Sequence, residues 1–124
     1  MKFICSLICV EDVSKSRQFY ETVLNQVVKY DFGENVWFES GFAIHLRNHF
    51  QTLINDNPIL TKTNNGELYF EEEDLLSFQE KLKQFSVEFI HEIKIQPWGQ
   101  KVLRFYDPDG NIIEVGEPID LDSN

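Results

Sequence analysis

The sequence predicts an α+β fold of two βαβββ modules, and three observations lead there. The order strand, helix, three strands runs through residues 3–47 and starts again at residue 67. Two offsets match between the halves. With Asp12 placed on Asp74 at the helix starts, Cys5 falls on Glu67; with Gly41 placed on Gly110 at the last turns, His45 falls on Glu114. Finally, 124 residues with 42% hydrophobic side chains, 11 of them Phe, suffice for a core in one domain or two small halves.

Each element has its own warrant. Residues 3–10, FICSLICV, form a short apolar run rich in strand-favouring side chains. Val13, Phe19, Tyr20, Val23 and Leu24 recur near helical spacing, Asp12 or Ser14 can cap that helix, and Asn25 can end it. Strand candidates follow at 27–31, 35–39 and 42–47, with Ser40-Gly41 as a turn. Residues 48–65 are polar, Asn-rich and contain Pro58, which reads as a long loop; the modules are placed at 1–50 and 66–118 with a linker at 51–65. In the second half Glu67–Glu71 is a strand candidate, and residues 74–85 form an amphipathic helix with Leu75, Phe78, Leu82 and Phe85 in one stripe. Strands at 87–95, 101–106 and 111–117 complete the repeat, and the acidic tail after Pro118 lies outside it.

Composition narrows the function. A net charge of −10 argues against a nucleic-acid partner, because phosphate backbones need clustered Lys and Arg. It suits a soluble surface or a cationic ligand. No apolar stretch approaches the ~18 residues of a membrane span. Cys5 and Cys9, four apart on one strand, would lie ~13 Å from each other, too far to bridge. Free thiols suggest a reducing, cytoplasmic setting.

The closing hairpin carries the most chemistry. A three-residue Pro108-Asp109-Gly110 loop, with Gly in the left-handed position, pairs Phe105 with Ile113 and Arg104 with Glu114. One face then reads Leu103, Phe105, Ile113, Val115; the other reads Val102, Arg104, Tyr106, Ile112, Glu114. The plain reading of a mid-strand Glu114 is a cross-strand ion pair with Arg104. Trp98, in Gln96-Pro97-Trp98-Gly99, lies on a turn where it can stack on a flat ligand or plug the core. The acids Glu71-Glu72-Glu73-Asp74 are explained by a helix start. His49 and His91 show no partner in the sequence, and no P-loop, dinucleotide fingerprint or Ser-His-Asp order is present.

The segments PWGQKVLRFYDPDGNIIEV (97–115) and VEDVSKSRQFYETVLN (10–25), together with the repeated element order, resemble the vicinal oxygen chelate superfamily. That group includes glyoxalases, extradiol dioxygenases, fosfomycin-resistance enzymes and bleomycin-resistance proteins. The resemblance implies two βαβββ modules around a U-shaped cleft, and a homodimer. In metal-using members it implies a ligand set at Cys5, His45, Glu67 and Glu114, with Zn, Ni, Fe or Mn as the divalent ion and Glu114 or Glu67 moving protons. Cys5 and Glu67 stand where His is common, so the pair of histidines typical of metal-dependent members is missing here. Trp98, Trp37, Tyr106 and Arg104 are the expected ligand-binding residues. The expected function is a small-molecule-binding, resistance or sequestering protein. The alternatives are a metal-dependent glyoxalase-like lyase or dioxygenase, and a regulatory or structural dimer with a vestigial cleft.

Overall fold

The structure, a computed structural model, describes residues 1–122. Its backbone divides into two units, Met1–Thr61 and Lys62–Asn124. The first contains β1 (Ser6–Val10), α1 (Val13–Thr22), β2 (Val28–Asp31), β3 (Asn35–Phe38), β4 (Phe42–Leu46) and α2 (Arg47–Leu53). The second contains β5 (Glu67–Glu71), α3 (Leu75–Gln84), β6 (Phe89–Ile95), β7 (Lys101–Tyr106) and β8 (Ile112–Gly116).

Each unit holds one four-stranded mixed sheet, in the orders β1-β4-β3-β2 and β5-β8-β7-β6. The first and last strands of a unit pair in parallel, and the others pair antiparallel. The helix between the first two strands supplies the connection that a parallel neighbour requires. The predicted fold class is therefore the observed one; the first strand, expected over 3–10, begins at Ser6, and the segment after β4 needs correction. Part of the segment read as a loop is helical: Arg47–Leu53 forms α2 directly after β4. This short helix has no side-chain cap and buries no residue fully, so it left no apolar stripe to read.

Local chemistry explains the helix starts. Asp12 caps α1 by accepting from Lys15 N at 3.0 Å, and Asp74 caps α3 by accepting from Ser77 N at 3.0 Å. Asn25, at φ +53°, stands just past α1. In the first unit Tyr20 packs against Phe38 and Phe42, with Val10, Val23, Val36 and Ile44 sealing the core. In the second, Leu103, Phe105, Ile113 and Val115 form the face predicted for them, and all four are buried with Leu75 and Leu82 of α3. Phe85, assigned to the same stripe, is 47% exposed because the helix ends one residue before it.

The closing hairpin folds as its turn residues require. Gly110 has φ +83°, and Phe105 pairs with Ile113 and Arg104 with Glu114. Asp107 tightens the turn by accepting from Asp109 N at 2.9 Å and Asn111 N at 2.8 Å.

Candidate functional site

In each unit one sheet face is taken by the helix and the core; the other carries the polar and aromatic residues. In the C-terminal unit that second face gathers Glu67, Tyr69, Arg104 and Glu114. Tyr69 and Glu114 are register partners, as are Arg104 and Glu114, so their side chains rise from the same face. Arg104 is the hub. Its Nη2 donates to Glu114 Oε1, its Nε to Glu67 Oε1 at 3.3 Å, and its Nη1 to Gln96 Oε1 at 3.3 Å. Its Nη1 also lies 3.0 Å from Nε2 of His91. That nitrogen accepts, because the other ring nitrogen sits 2.8 Å from the carbonyl of Glu92 and must donate to it.

Glu114 is 7% exposed. Burial pushes its pKa up, and the hydrogen-bonded Glu67 carboxyl beside it pushes the same way against the lowering effect of Arg104. Two carboxyl groups to one guanidinium leave this face acidic.

Beside Glu114 lies a cavity of about 310 Å³, lined by Tyr69, Glu71, Trp98, Gln100, Ile119 and Leu121 as well as Glu114 itself. Trp98 stands at its rim, 58% exposed, so the core-plug reading of this residue is wrong. Buried Gln100 ties the aromatic walls together. Its Oε1 accepts from Trp98 Nε1 at 2.8 Å, and its Nε2 donates to Tyr69 Oη at 2.9 Å and to the Glu117 carbonyl at 2.6 Å. Gly116 makes room for this amide, since a Cβ there would collide with it. Two aromatic rings are thus fixed in orientation before any ligand arrives.

In the N-terminal unit the corresponding face holds Cys9, His45, Asn35 and Trp37. Cys9 and His45 are register partners, as are His45 and Asn35. Sequence offsets from the helix starts had put Cys5 in the place of Glu67; strand register puts Leu7 there. Ala43, two before His45, faces Leu7, and Ile112, two before Glu114, faces Glu67. Cys5 precedes β1 altogether and borders a different cavity, of about 220 Å³, with Trp37, Phe38 and Phe42. The cause is the turn before the helix. Two positions separate Val10 from Asp12, whereas four separate its counterpart Phe70 from Asp74.

His45 is 5% exposed, and its Nε2 lies 2.8 Å from Nδ1 of His49 on α2. His49 Nε2 in turn lies 3.1 Å from Glu34 Oε2. Burial and the neighbouring His49 hold the His45 pKa below its ordinary value. Burial pushes the Cys9 thiol up, which makes it a poor nucleophile and a poor metal ligand. Trp37 packs edge-on to Tyr30 and Phe32, and Tyr106 sits half-buried opposite Ile112.

The metal set implied by resemblance does not fit this arrangement. The Arg104 guanidinium engages both Glu67 and Glu114 where a cation would need their lone pairs, and Cys9, not Cys5, neighbours His45. Among the described residues, no group of three or more His, Cys, Asp or Glu side chains is arranged to hold a metal ion. Sequence reasoning missed Tyr69, Gln100, His91 and the pair Glu34–His49. Tyr69 was legible at two residues from Glu67 on a strand. His49 was legible only to a reader who continued β4 into a helix, where i and i+4 side chains meet.

Two βαβββ units, each presenting a polar, aromatic sheet face away from its helix, define an α+β protein of the glyoxalase and bleomycin-resistance kind. The chain belongs to the glyoxalase-like domain family, whose model matches residues 3–120. Its fold is similar to that of a protein of unknown function from Agrobacterium tumefaciens str. C58, 39% identical, with a TM-score of 0.85 over 96% of this chain and 95% of that one. It is also similar to a member of the glyoxalase/bleomycin resistance protein/dioxygenase superfamily from Sphaerobacter thermophilus (21% identity, TM-score 0.73, 95% and 98% covered). A fosfomycin resistance protein from Listeria monocytogenes shares the fold at 17% identity (TM-score 0.74, 96% and 94% covered). No curated protein matches the chain. No helix among the described residues is long and apolar enough to cross a membrane.

Proposed function

We propose that this protein binds a small organic molecule, a flat cation, in the cavity beside Glu114, as a binding or sequestering member of its family. The observation that carries this reading is the pairing of Trp98 and Tyr69 through Gln100 over a cavity whose charged lining is Glu71 and Glu114. Aromatic faces attract organic cations through the ring quadrupole, with about 0.5–2 kcal/mol per contact. Carboxylates without a matching number of cations add a favourable field. A net charge of −10 extends that field over the surface and draws cations in. A cavity of about 310 Å³ is at the small end of ordinary ligand sites, so the bound part is a bicyclic or tricyclic body rather than a large antibiotic.

Catalysis through a divalent ion finds no support in the arrangement of Arg104, Glu67 and Glu114. The cytoplasmic setting and the homodimer implied by resemblance belong to this proposal as well, and sedimentation of the purified protein tests the dimer. The binding test is fluorescence. Trp98 is one of two tryptophans, so Trp37→Phe leaves it as the sole reporter. N-methylacridinium is expected to quench it saturably, and neutral acridine at pH 8 to bind at least tenfold more weakly. Equal binding of both would remove the cationic part of the reading; no binding of either would remove the cavity as a ligand site.

A further inference from the structure

The N-terminal unit carries a second polar site. Three buried side-chain atoms on one sheet face have no hydrogen-bond partner: His45 Nδ1, Asn35 Oδ1 and Trp37 Nε1. The register explains their company, since Asn35 is directly opposite His45 and Trp37 lies two residues along the same strand. An unmet buried polar atom costs about 1–3 kcal/mol, and three on one sheet face call for an occupant.

The protonation pattern of His45 decides what that occupant offers. Glu34 Oε2, 3.1 Å from His49 Nε2, accepts the proton that this nitrogen carries. With that single ring proton, His49 has only the lone pair of Nδ1 to present, 2.8 Å from His45 Nε2. His45 must donate from Nε2, which leaves its Nδ1 as a bare acceptor. Beside it Asn35 Oδ1 is a second acceptor. The ring is held in this pose by His49, which meets it edge to edge with centroids 5.0 Å apart and 9° between planes, and by Phe50, whose ring lies at 5.6 Å. Both come from α2, which packs on β4 and β1.

We propose that Glu34, His49 and His45 form a tautomer-fixing relay that makes His45 Nδ1 and Asn35 Oδ1 a recognition site for a primary ammonium group, closed over by α2. Two adjacent acceptors select a donor with at least two N–H bonds, and Glu34 supplies negative charge one histidine away. Trp37 Nε1–H, on the same face, donates to an acceptor atom carried by the same ligand. A ligand of this site therefore bears a primary amine next to a hydroxyl or carbonyl oxygen. This site belongs to the N-terminal unit and stands independently of the cavity beside Trp98.

The test is long-range proton–nitrogen NMR on the full, nitrogen-15-labelled chain at pH 8. His45 is expected as the Nε2–H tautomer. Methylammonium chloride is expected to shift His45 Nδ1 saturably, and tetramethylammonium chloride, which has the charge but no N–H, to leave it in place. Asn35→Leu is expected to weaken the methylammonium response at least tenfold, and His49→Phe to erase the tautomer preference. An Nδ1–H tautomer in the unsubstituted protein, an equal response to both cations, or no response to either would overturn the proposal. In the last case the orphaned atoms hold a buried water only. The first two readings need no variant, so a misfolded substitution does not rescue the idea.

Discussion

The two units share one plan and spend it differently. At the position where the C-terminal unit has Glu114, the N-terminal unit has His45; where Arg104 faces Glu114, Asn35 faces His45. The C-terminal face is a charge network centred on a guanidinium and opens beside a cavity. The N-terminal face is a network of two imidazoles ending on a surface carboxylate, and a helix packs against its strands. One scaffold position thus serves as an acid in one copy and as a neutral acceptor in the other. The difference follows from the side chains the strands carry at matched positions and from what packs on each face.

The two cores are expected to respond most strongly to substitution. Phe105 is fully buried between β7 and α3, and Phe105→Ala is expected to cost about 3–5 kcal/mol in urea unfolding. Val36→Ala in the other core removes less volume and is expected to cost roughly half as much.

Next comes the charge hub. Arg104→Met leaves Glu114 and Glu67 facing each other without their cation, which is expected to cost about 1–3 kcal/mol at pH 7, reduced from the fully buried case because Glu67 is partly in water. Much of that loss should return at pH 4, where Glu114 takes up a proton.

Titration separates the units by sign. The folded pKa of Glu114 lies above its ordinary 4.5, so the native state holds that proton longer than the unfolded one. Its contribution is most favourable below pH 4.5 and declines as pH rises through the folded value; Glu114→Gln should flatten this part of the profile. His45 runs the other way. Its folded pKa lies below 6.5, so stability is full above that and falls as pH drops toward the folded value, a loss that His45→Gln should remove. Unfolding in urea between pH 4 and 8 measures both.

The smallest effect sharpens the ligand side. Gln100→Ala frees Trp98 and Tyr69 and is expected to cost about 1 kcal/mol of stability while weakening cation binding several-fold, read from Trp98 anisotropy and the fluorescence titration.

The fold was legible because turns and caps are local. Asp12, Asp74, Gly41 and Gly110 each declare a helix start or a left-handed turn from their own chemistry, and the apolar alternation of Leu103–Phe105 and Ile113–Val115 allows one register only. The pairing of Arg104 with Glu114 was legible for the same reason. Cys5 was misplaced because helix starts are a poor ruler for strands: two extra residues before α3 shift the frame without touching the alternation. Gln100 was illegible as a site residue, and His49 was hidden with α2. A buried amide that orients two rings has no sequence pattern, and α2 has no apolar stripe to announce that His49 returns to His45.

In the proposed function, an aromatic-walled, acid-lined cavity in the C-terminal unit receives a flat cation. Titration of Trp37→Phe protein with N-methylacridinium, in parallel with Glu71→Gln and Tyr69→Ala in the same background, tests it most directly. Saturable quenching of Trp98, weakened several-fold by either second substitution, is the predicted result. Quenching that is linear, or unchanged by both substitutions, would contradict it.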